Sequence, residues 1–399
     1  MTMTDRNNHH VDILVVDYNP TGFNRYARPL ALILQNRLPN INIVGCYMRD
    51  CKAVEIEGFN KIYPFKRYAY RAAKALRELQ PRLLITMAHR FFDYDFTICA
   101  HAFGIPVLNL QHGLYMPSTV ISDASVRSLG QVLRSKRKKI ALYGRCIYEM
   151  CGGNWRNALA FFCNIKKQRS MYKAINLKFG DSSNADLSLV FGEYYIDYYR
   201  KQYYETKTNF EVIGYPELEG PTKRAIPDVF RKPDRPVICY LAQTAIEDGT
   251  VSPKLFRTFI DQLSEVTNQA NLILKLHPRS NGSFYERLIE QCEGDVIVWD
   301  SEEFPVADAY IGHESTVLAR ALTITNRVLV YRLGRTSPFE QFTNYVVTDQ
   351  NDLKSITSKM LAAESSISKN SIAEIAQRNS GNGALEQAAD KVEYFLTFE

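Results

Sequence analysis

The chain has 399 residues, a length that at about 100–200 residues per domain points to two domains. Hydrophobic residues make up 46% and charged residues 23%, ordinary globular values that exclude a generally disordered chain. Forty-nine basic residues against 43 acidic ones leave a net charge of +6, which permits an anionic ligand or an acidic membrane surface and falls short of a dedicated nucleic-acid binder.

The first half alternates strand and helix. Val11–Tyr18 is an apolar run of strand length, followed by the turn Asn19-Pro20-Thr21-Gly22 and a helical pattern to about Leu38. Ile41–Met48 reads as a strand, Tyr68–Leu79 as a helix, Leu83–Met87 as a strand, Tyr94–Ala102 as a helix and Pro106–Leu110 as a strand. This rhythm predicts a parallel sheet covered by helices on both faces. A different stretch follows. Arg134, Lys136, Arg137, Lys138 and Lys139 form a basic knot, and the segment from Trp155 to about Lys173 mixes Leu159, Phe161, Phe162 and Ile165 with Lys166, Lys167 and Arg169. Such a mixture suits an anionic membrane surface, and equally a solvated loop followed by an ordinary core helix. The sheet rhythm resumes at Leu187–Phe191 and Phe210–Tyr215.

Residues 216–235 are rich in proline and charge and read as a linker. Beyond it the pattern restarts: strand Val237–Leu241, helix Pro253–Thr267, strand Asn271–Leu276, helix Ser283–Cys292, then strands Val296–Trp299 and Ala309–Ile311. Helix Ser315–Leu322, strands Val328–Tyr331 and Tyr345–Thr348, and closing helices from about Asp352 to near Phe395 complete the chain. The expectation is an α/β fold of two Rossmann-like domains, 1–215 and 236–399, facing across a cleft as in GT-B architecture. By analogy with that architecture the last helix crosses back onto the first domain.

The eight cysteines include no Cys-x-x-Cys pair, so free, buried thiols in a reducing compartment are expected. The first ten residues are polar, and no stretch reaches about 18 apolar residues, so neither a secretory signal nor a spanning helix is expected and a cytoplasmic location is the default. The many tyrosines, several between Tyr194 and Tyr204, read as core or interface.

Three short signals fall just after predicted strands, where a doubly wound sheet places its ligands. Glu247-Asp248-Gly249 offers a carboxylate as general base, with a glycine that lets the backbone turn tightly; it is also common turn chemistry. Lys275-Leu276-His277-Pro278-Arg279 places up to three cations at a strand end, suited to a phosphate, with His277 able to donate a proton; a histidine capping a loop is the plainer reading. Gly312-His313-Glu314-Ser315-Thr316 leads into a helix whose start, with two hydroxyls, suits an anion or simply supplies an N-cap. No Walker A loop, Gly-x-Gly-x-x-Gly fingerprint or Cys/His metal cluster is present, so no metal, nicotinamide or other cofactor is expected.

In order and spacing, Glu247-Asp248-Gly249, His277-Pro278 and Ser315-Thr316 resemble the motifs of bacterial GT-B sialyltransferases, including the lipooligosaccharide and polysialic-acid enzymes, and are similar to those of the related capsule Kdo-transferases. The resemblance covers roughly Val237–Val330, about a quarter of the chain. It implies an inverting, metal-independent transfer from a CMP-sugar co-substrate to a surface glycan or glycolipid, in the cytoplasm or at the inner membrane face. Asp248 is then the general base, with Glu247 a secondary candidate. His277 stabilises or protonates the departing CMP phosphate, and Ser315 and Thr316 hold it. Gly249, Lys275, Pro278 and Glu314 belong to the donor side. His313-Glu314 departs from the pattern, which has smaller residues there, and leaves the donor sugar open. A CDP-alcohol phosphotransferase of the teichoic-acid polymerase type, a nucleotide-sugar epimerase and a non-catalytic glycan or nucleotide binder are the alternatives. In the first half, His112 and the stretch Asp17–Gly22 follow strands and can line the acceptor side; for His112 a loop histidine satisfied by backbone is the plainer reading. His9, His10, His89 and His101 are expected to carry no function, and nucleic acid is not an expected partner.

Overall fold

The computed structural model describes residues 10–48, 55–114, 141–218, 223–224, 230, 234–277, 280–299, 303–348, 352–364 and 383–397. The chain divides into two compact units, one of residues 1–112, 133–216 and 377–399, the other of 113–132 and 217–376.

The first unit begins with β1 (Ile13–Asp17), α1 (Ala27–Arg37), β2 (Ile43–Tyr47), β3 (Lys61–Pro64), α2 (Ala72–Leu79), β4 (Leu83–Thr86), α3 (Phe91–Ala102) and β5 (Val107–Leu110). Three helices follow, α4 (141–150), α5 (Trp155–Gln168) and α6 (Met171–Phe179), and then β6 (Leu187–Val190), α7 (Tyr194–Gln202) and β7 (Asn209–Val212). The seven strands lie in the order β3-β2-β1-β4-β5-β6-β7, every pair parallel. All five residues of β1 are buried, as a strand covered on both faces requires. The edge strands β3 and β7 expose Lys61 and Asn209, which discourages pairing with another chain.

Two helices differ from the sequence pattern. Ala69 and Tyr70 take positive φ values of 54° and 57° after a 3-10 turn, so the helix expected from Tyr68 starts only at Ala72. The segment from Trp155 breaks at Arg169 (φ 53°), and the Ser170 hydroxyl accepts the Lys173 N–H at 3.2 Å to start α6. The helices α4 to α6 enclose their own apolar cluster of Ile147, Met150, Phe161, Ala174 and Ile175, which includes Tyr94 of α3. The basic knot Arg134–Lys139 lies outside the described residues. The described cysteines are free; Cys163 is exposed on α5, against the expectation of buried thiols, because it faces away from that cluster.

The second unit contains β8 (Lys223–Arg224), β9 (Val237–Leu241), α8 (Pro253–Val266), β10 (Asn271–Lys275), α9 (Ser283–Gln291), β11 (Val296–Trp299), β12 (Phe304–Pro305), β13 (Ala309–Gly312), α10 (Val317–Leu322), β14 (Val328–Tyr331), β15 (Tyr345–Val347) and α11 (Leu353–Ala362). Its main sheet runs β11-β10-β9-β13-β14-β15, all parallel, and β8, inside the stretch read as a linker, pairs with β12. Helix α8 shows how the layers form. Ser252 caps it, accepting the Leu255 N–H at 3.2 Å, Pro253 suits its first turn, and Phe256, Phe259, Ile260, Leu263 and Val266 make one buried stripe. Each such side chain contributes about 1.5–3 kcal/mol when fully buried.

The last helix, α12 (Ala384–Thr397), belongs to the first unit. Its small face of Ala384, Ala388, Ala389 and Val392 is buried, while Arg37 of α1 pairs with Glu386, with Asp390 at 2.6 Å and with Glu393 at 3.0 Å.

Candidate active site

In the second unit the chain places β9, β10 and β11 on one side and then returns to set β13 beside β9. That reversal makes the β9–β13 boundary the topological switch point, where an open parallel sheet leaves a crevice at its carboxyl edge. The register puts Leu241 opposite Lys275 and Tyr240 opposite Ile311, so the three strands end level. The residues that follow them are the three segments singled out above: 242–249 after β9, 276–277 after β10 and 313–316 after β13.

The loop after β9 is a single helical turn closed by Gly249. The Gly249 N–H donates to the Ile246 carbonyl and the Thr250 N–H to that of Ala245, with Gly249 at φ 63°. This paired arrangement ends helical turns and favours glycine at the left-handed position, so the glycine of Glu247-Asp248-Gly249 has a definite backbone role. The turn separates its two carboxylates. Glu247 Oε1 accepts the Asn281 N–H at 2.8 Å, and Oε2 is buried with no hydrogen-bond partner among the described residues. Asp248 Oδ2 accepts the Thr244 hydroxyl at 2.8 Å. Glu247 thus ties the β9 loop to the loop ahead of α9, whereas Asp248 is steadied from within its own turn.

After β10, the Lys275 ammonium donates to the Glu303 carbonyl at 3.2 Å, and His277 is exposed. The His277 carbonyl accepts the Ser280 N–H at 2.7 Å, which holds the turn. Pro278 and Arg279 lie outside the described residues.

After β13, the helix expected from Ser315 begins at Val317, and Ser315 Oγ accepts the Val317 N–H at 3.3 Å; Thr316 makes no side-chain cap bond. A Cβ on Gly312 would come within 2.8 Å of Leu318 Cδ2, so glycine leaves the room that this buried side chain fills. Glu314 is half-buried; its N–H donates to Gln243 Oε1 at 3.4 Å and its carboxylate faces the Arg335 guanidinium at 3.9 Å. His313 points the other way, into the core. Its Nδ1–H donates to the Tyr331 carbonyl at 2.8 Å, which can only accept, so Nε2 is the nitrogen that meets the Tyr240 hydroxyl at 3.0 Å. Burial among aromatic rings pushes the imidazole down to about 4, so this histidine is neutral at physiological pH. The pair His313-Glu314 therefore separates into a core residue and an edge residue.

Thr244, Gln243, Asn281 and Arg335 are the edge residues that sequence reading missed. Their types are common in any loop, and only the folded backbone brings them to the three segments.

In the first unit the order β2-β1-β4-β5 places the corresponding switch point between β1 and β4. There Arg90 bridges Asp17 at 2.9 Å and Asp93 at 2.7 Å, and Gly22 leaves room for the Asp17 carboxylate, which a Cβ would strike. His112 follows β5 in this unit and sets its ring edge-on to Tyr26, centroids 5.5 Å apart. The His89 side chain, 7% exposed, sits in a network. Its Nε2 meets Glu205 Oε1 at 2.5 Å, Glu205 Oε2 accepts the Ser188 hydroxyl at 3.1 Å, and Tyr203 stacks on the ring at 3.8 Å. Among the described residues, no group of three or more His, Cys, Asp or Glu side chains is arranged to hold a metal ion, and no helix is long and apolar enough to cross a membrane.

No family model and no curated protein sequence matches the chain. Among solved structures it is similar to the glycotransferase of kitacinnamycin, with 14% identity, coverage of 97% of this chain and 99% of that one, and a TM-score of 0.53. It is also similar to a variant of the wall teichoic acid polymerase TagF, with 11% identity, coverage of 96% and 89%, and a TM-score of 0.50. At these identities the likeness is one of fold, and the fold is the GT-B arrangement of two parallel-sheet, Rossmann-like units.

Proposed function

We propose that the chain is a metal-independent, inverting glycosyltransferase that moves a sialic acid or similar acid sugar from a CMP donor to a surface glycan or glycolipid precursor, in the cytoplasm or at the inner membrane face. The observation that carries the reading is the pair of hydrogen bonds, Glu247 to Asn281 and Gln243 to Glu314, that links the loops after β9, β10 and β13 along one sheet edge. In this reading Asp248 takes the proton from the acceptor hydroxyl as that oxygen attacks the anomeric carbon. The bond from that carbon to the CMP phosphate oxygen breaks in the same displacement, which inverts the centre. His277 gives a proton or a hydrogen bond to the departing phosphate, and Ser315 and Thr316 hold it. Asp248 is preferred to Glu247 because Glu247 is turned inward and engaged with Asn281. Gly249 shapes the turn that presents Asp248, and Lys275, Pro278 and Glu314 belong to the donor side. His112 and the Asp17–Arg90 edge of the first unit are assigned to the acceptor.

A ligand that binds the folded state raises its melting temperature by mass action. Thermal shifts with CMP, CDP, UDP and GDP are expected to favour CMP, and CMP-sialic acid should slowly release CMP. Asp248→Asn should lower that release by about 10²–10⁴-fold while keeping the CMP shift. A variant with full activity removes the base assignment, and a UDP preference removes the donor assignment. The second reading is a CDP-alcohol phosphotransferase, supported by the fold likeness to the teichoic acid polymerase. It predicts a CDP preference and no release from the CMP-sugar.

A further inference from the structure

Helix α5 is apolar on two sides. Ala158, Phe161 and Ile165 pack into the cluster that α5 shares with α4 and α6. The other side carries Trp155, Leu159 and Phe162, which are 64%, 60% and 58% exposed. Their spacing of i, i+4, i+7 puts them on one face. Large apolar side chains grouped at helical spacing on a surface mark an interaction site rather than scatter.

The charge around this stripe is as one-sided as its exposure. Residues 150–180 contain six lysines and arginines and no aspartate or glutamate. Arg156, Lys166, Lys167 and Arg169 are exposed on α5 or at its end. A matching surface must therefore be anionic outside and apolar just beneath. A bilayer of anionic lipid has that profile, with phosphates for the cations and acyl chains for the stripe. A nucleic acid would meet the cations and stack on the two rings but leave Leu159 in water.

We infer that α5 docks the protein on anionic lipid, lying in the interface with Trp155, Leu159 and Phe162 among the acyl chains and its cations on the phosphates. The apolar stripe and the charge each contribute, so binding is reversible and depends on salt. This surface belongs to the first unit, the donor edge to the second, and the inference does not depend on which nucleotide is used.

The two tryptophans allow a direct test. Trp299 is buried in the second unit with its indole N–H donating to the Glu303 carbonyl at 2.8 Å, so Trp299→Phe leaves Trp155 as the sole reporter. With vesicles of phosphatidylcholine containing phosphatidylglycerol, Trp155 emission should shift to the blue and be quenched by brominated acyl chains. Phosphatidylcholine alone should do neither, and high salt should reverse the shift. Co-sedimentation of the unaltered chain with the same vesicles keeps the test independent of that substitution. Leu159→Ser with Phe162→Ser, at two exposed positions, should leave the melting temperature unchanged and weaken vesicle binding by about tenfold or more. No binding to anionic vesicles, equal binding by the double variant, or a Trp155 response to single-stranded RNA in place of lipid would each overturn the inference.

Discussion

Acid should loosen the second unit through His313. The imidazole is 3% exposed, surrounded by Phe259, Tyr240 and Tyr331 with ring centroids 4.8, 5.6 and 6.0 Å away. Burial takes it from 6.5 to about 4, and no carboxylate offsets the cost of charging it. Between those values the unfolded chain binds a proton that the folded chain does not. Stability is therefore fully present above about pH 6.5 and is lost as the pH falls towards about 4. At about 1.36 kcal/mol for each unit, the gap corresponds to about 3 kcal/mol. His313→Phe keeps the ring and its contacts but cannot titrate. It also strips the Tyr240 hydroxyl and the Tyr331 carbonyl of a partner, which costs about 1–3 kcal/mol at neutral pH. Urea unfolding in a Trp155→Phe background, followed by Trp299 emission, reads this unit specifically. The wild-type side chain should lose about 3 kcal/mol more than the variant between neutral pH and pH 4. Parallel pH profiles for the two proteins would refute the assignment of His313 as a buried, neutral group.

Gly312→Ala would set a Cβ against the buried Leu318 side chain and force it to repack, at a cost of about 1–3 kcal/mol, read as a lower melting temperature of the second unit. An unchanged melting temperature would mean that the Leu318 side chain gives way at no cost. In the first unit, Glu205→Leu would remove the partner of both the His89 ring and the Ser188 hydroxyl, and a loss of about 1–3 kcal/mol is expected in urea unfolding of a Trp299→Phe background. A neutral result would show that the carboxylate is not the partner holding His89.

Strands such as Val237–Leu241 and Leu83–Thr86 are legible because a strand covered on both faces must be apolar throughout. The interruptions between them carry the α/β rhythm. Helix starts are less legible. Ala69 and Tyr70 look like helix formers, yet the preceding 3-10 turn drives them to positive φ. Strands β8 and β12 are two residues each, too short to leave any period. The three motifs of the second unit are visible because each follows a strand, but the two carboxylates of Glu247-Asp248 are equivalent in the sequence. The folded chain distinguishes them, setting Glu247 on the Asn281 N–H of another loop and Asp248 on the Thr244 hydroxyl of its own turn.

By itself the sequence determined the alternation of strand and helix, the parallel sheets that such alternation demands, and the position of each polar signal along its own strand. The tertiary structure alone decided that β13 lies beside β9, that His313 faces the core while His277 faces solvent, that Arg37 of α1 meets the acids of α12, and that one apolar side of α5 is left uncovered. Periodicity records how much of an element is covered, because burial of apolar surface acts on each residue locally. Which distant segment provides the cover depends on pairing and packing between parts of the chain that share no local pattern.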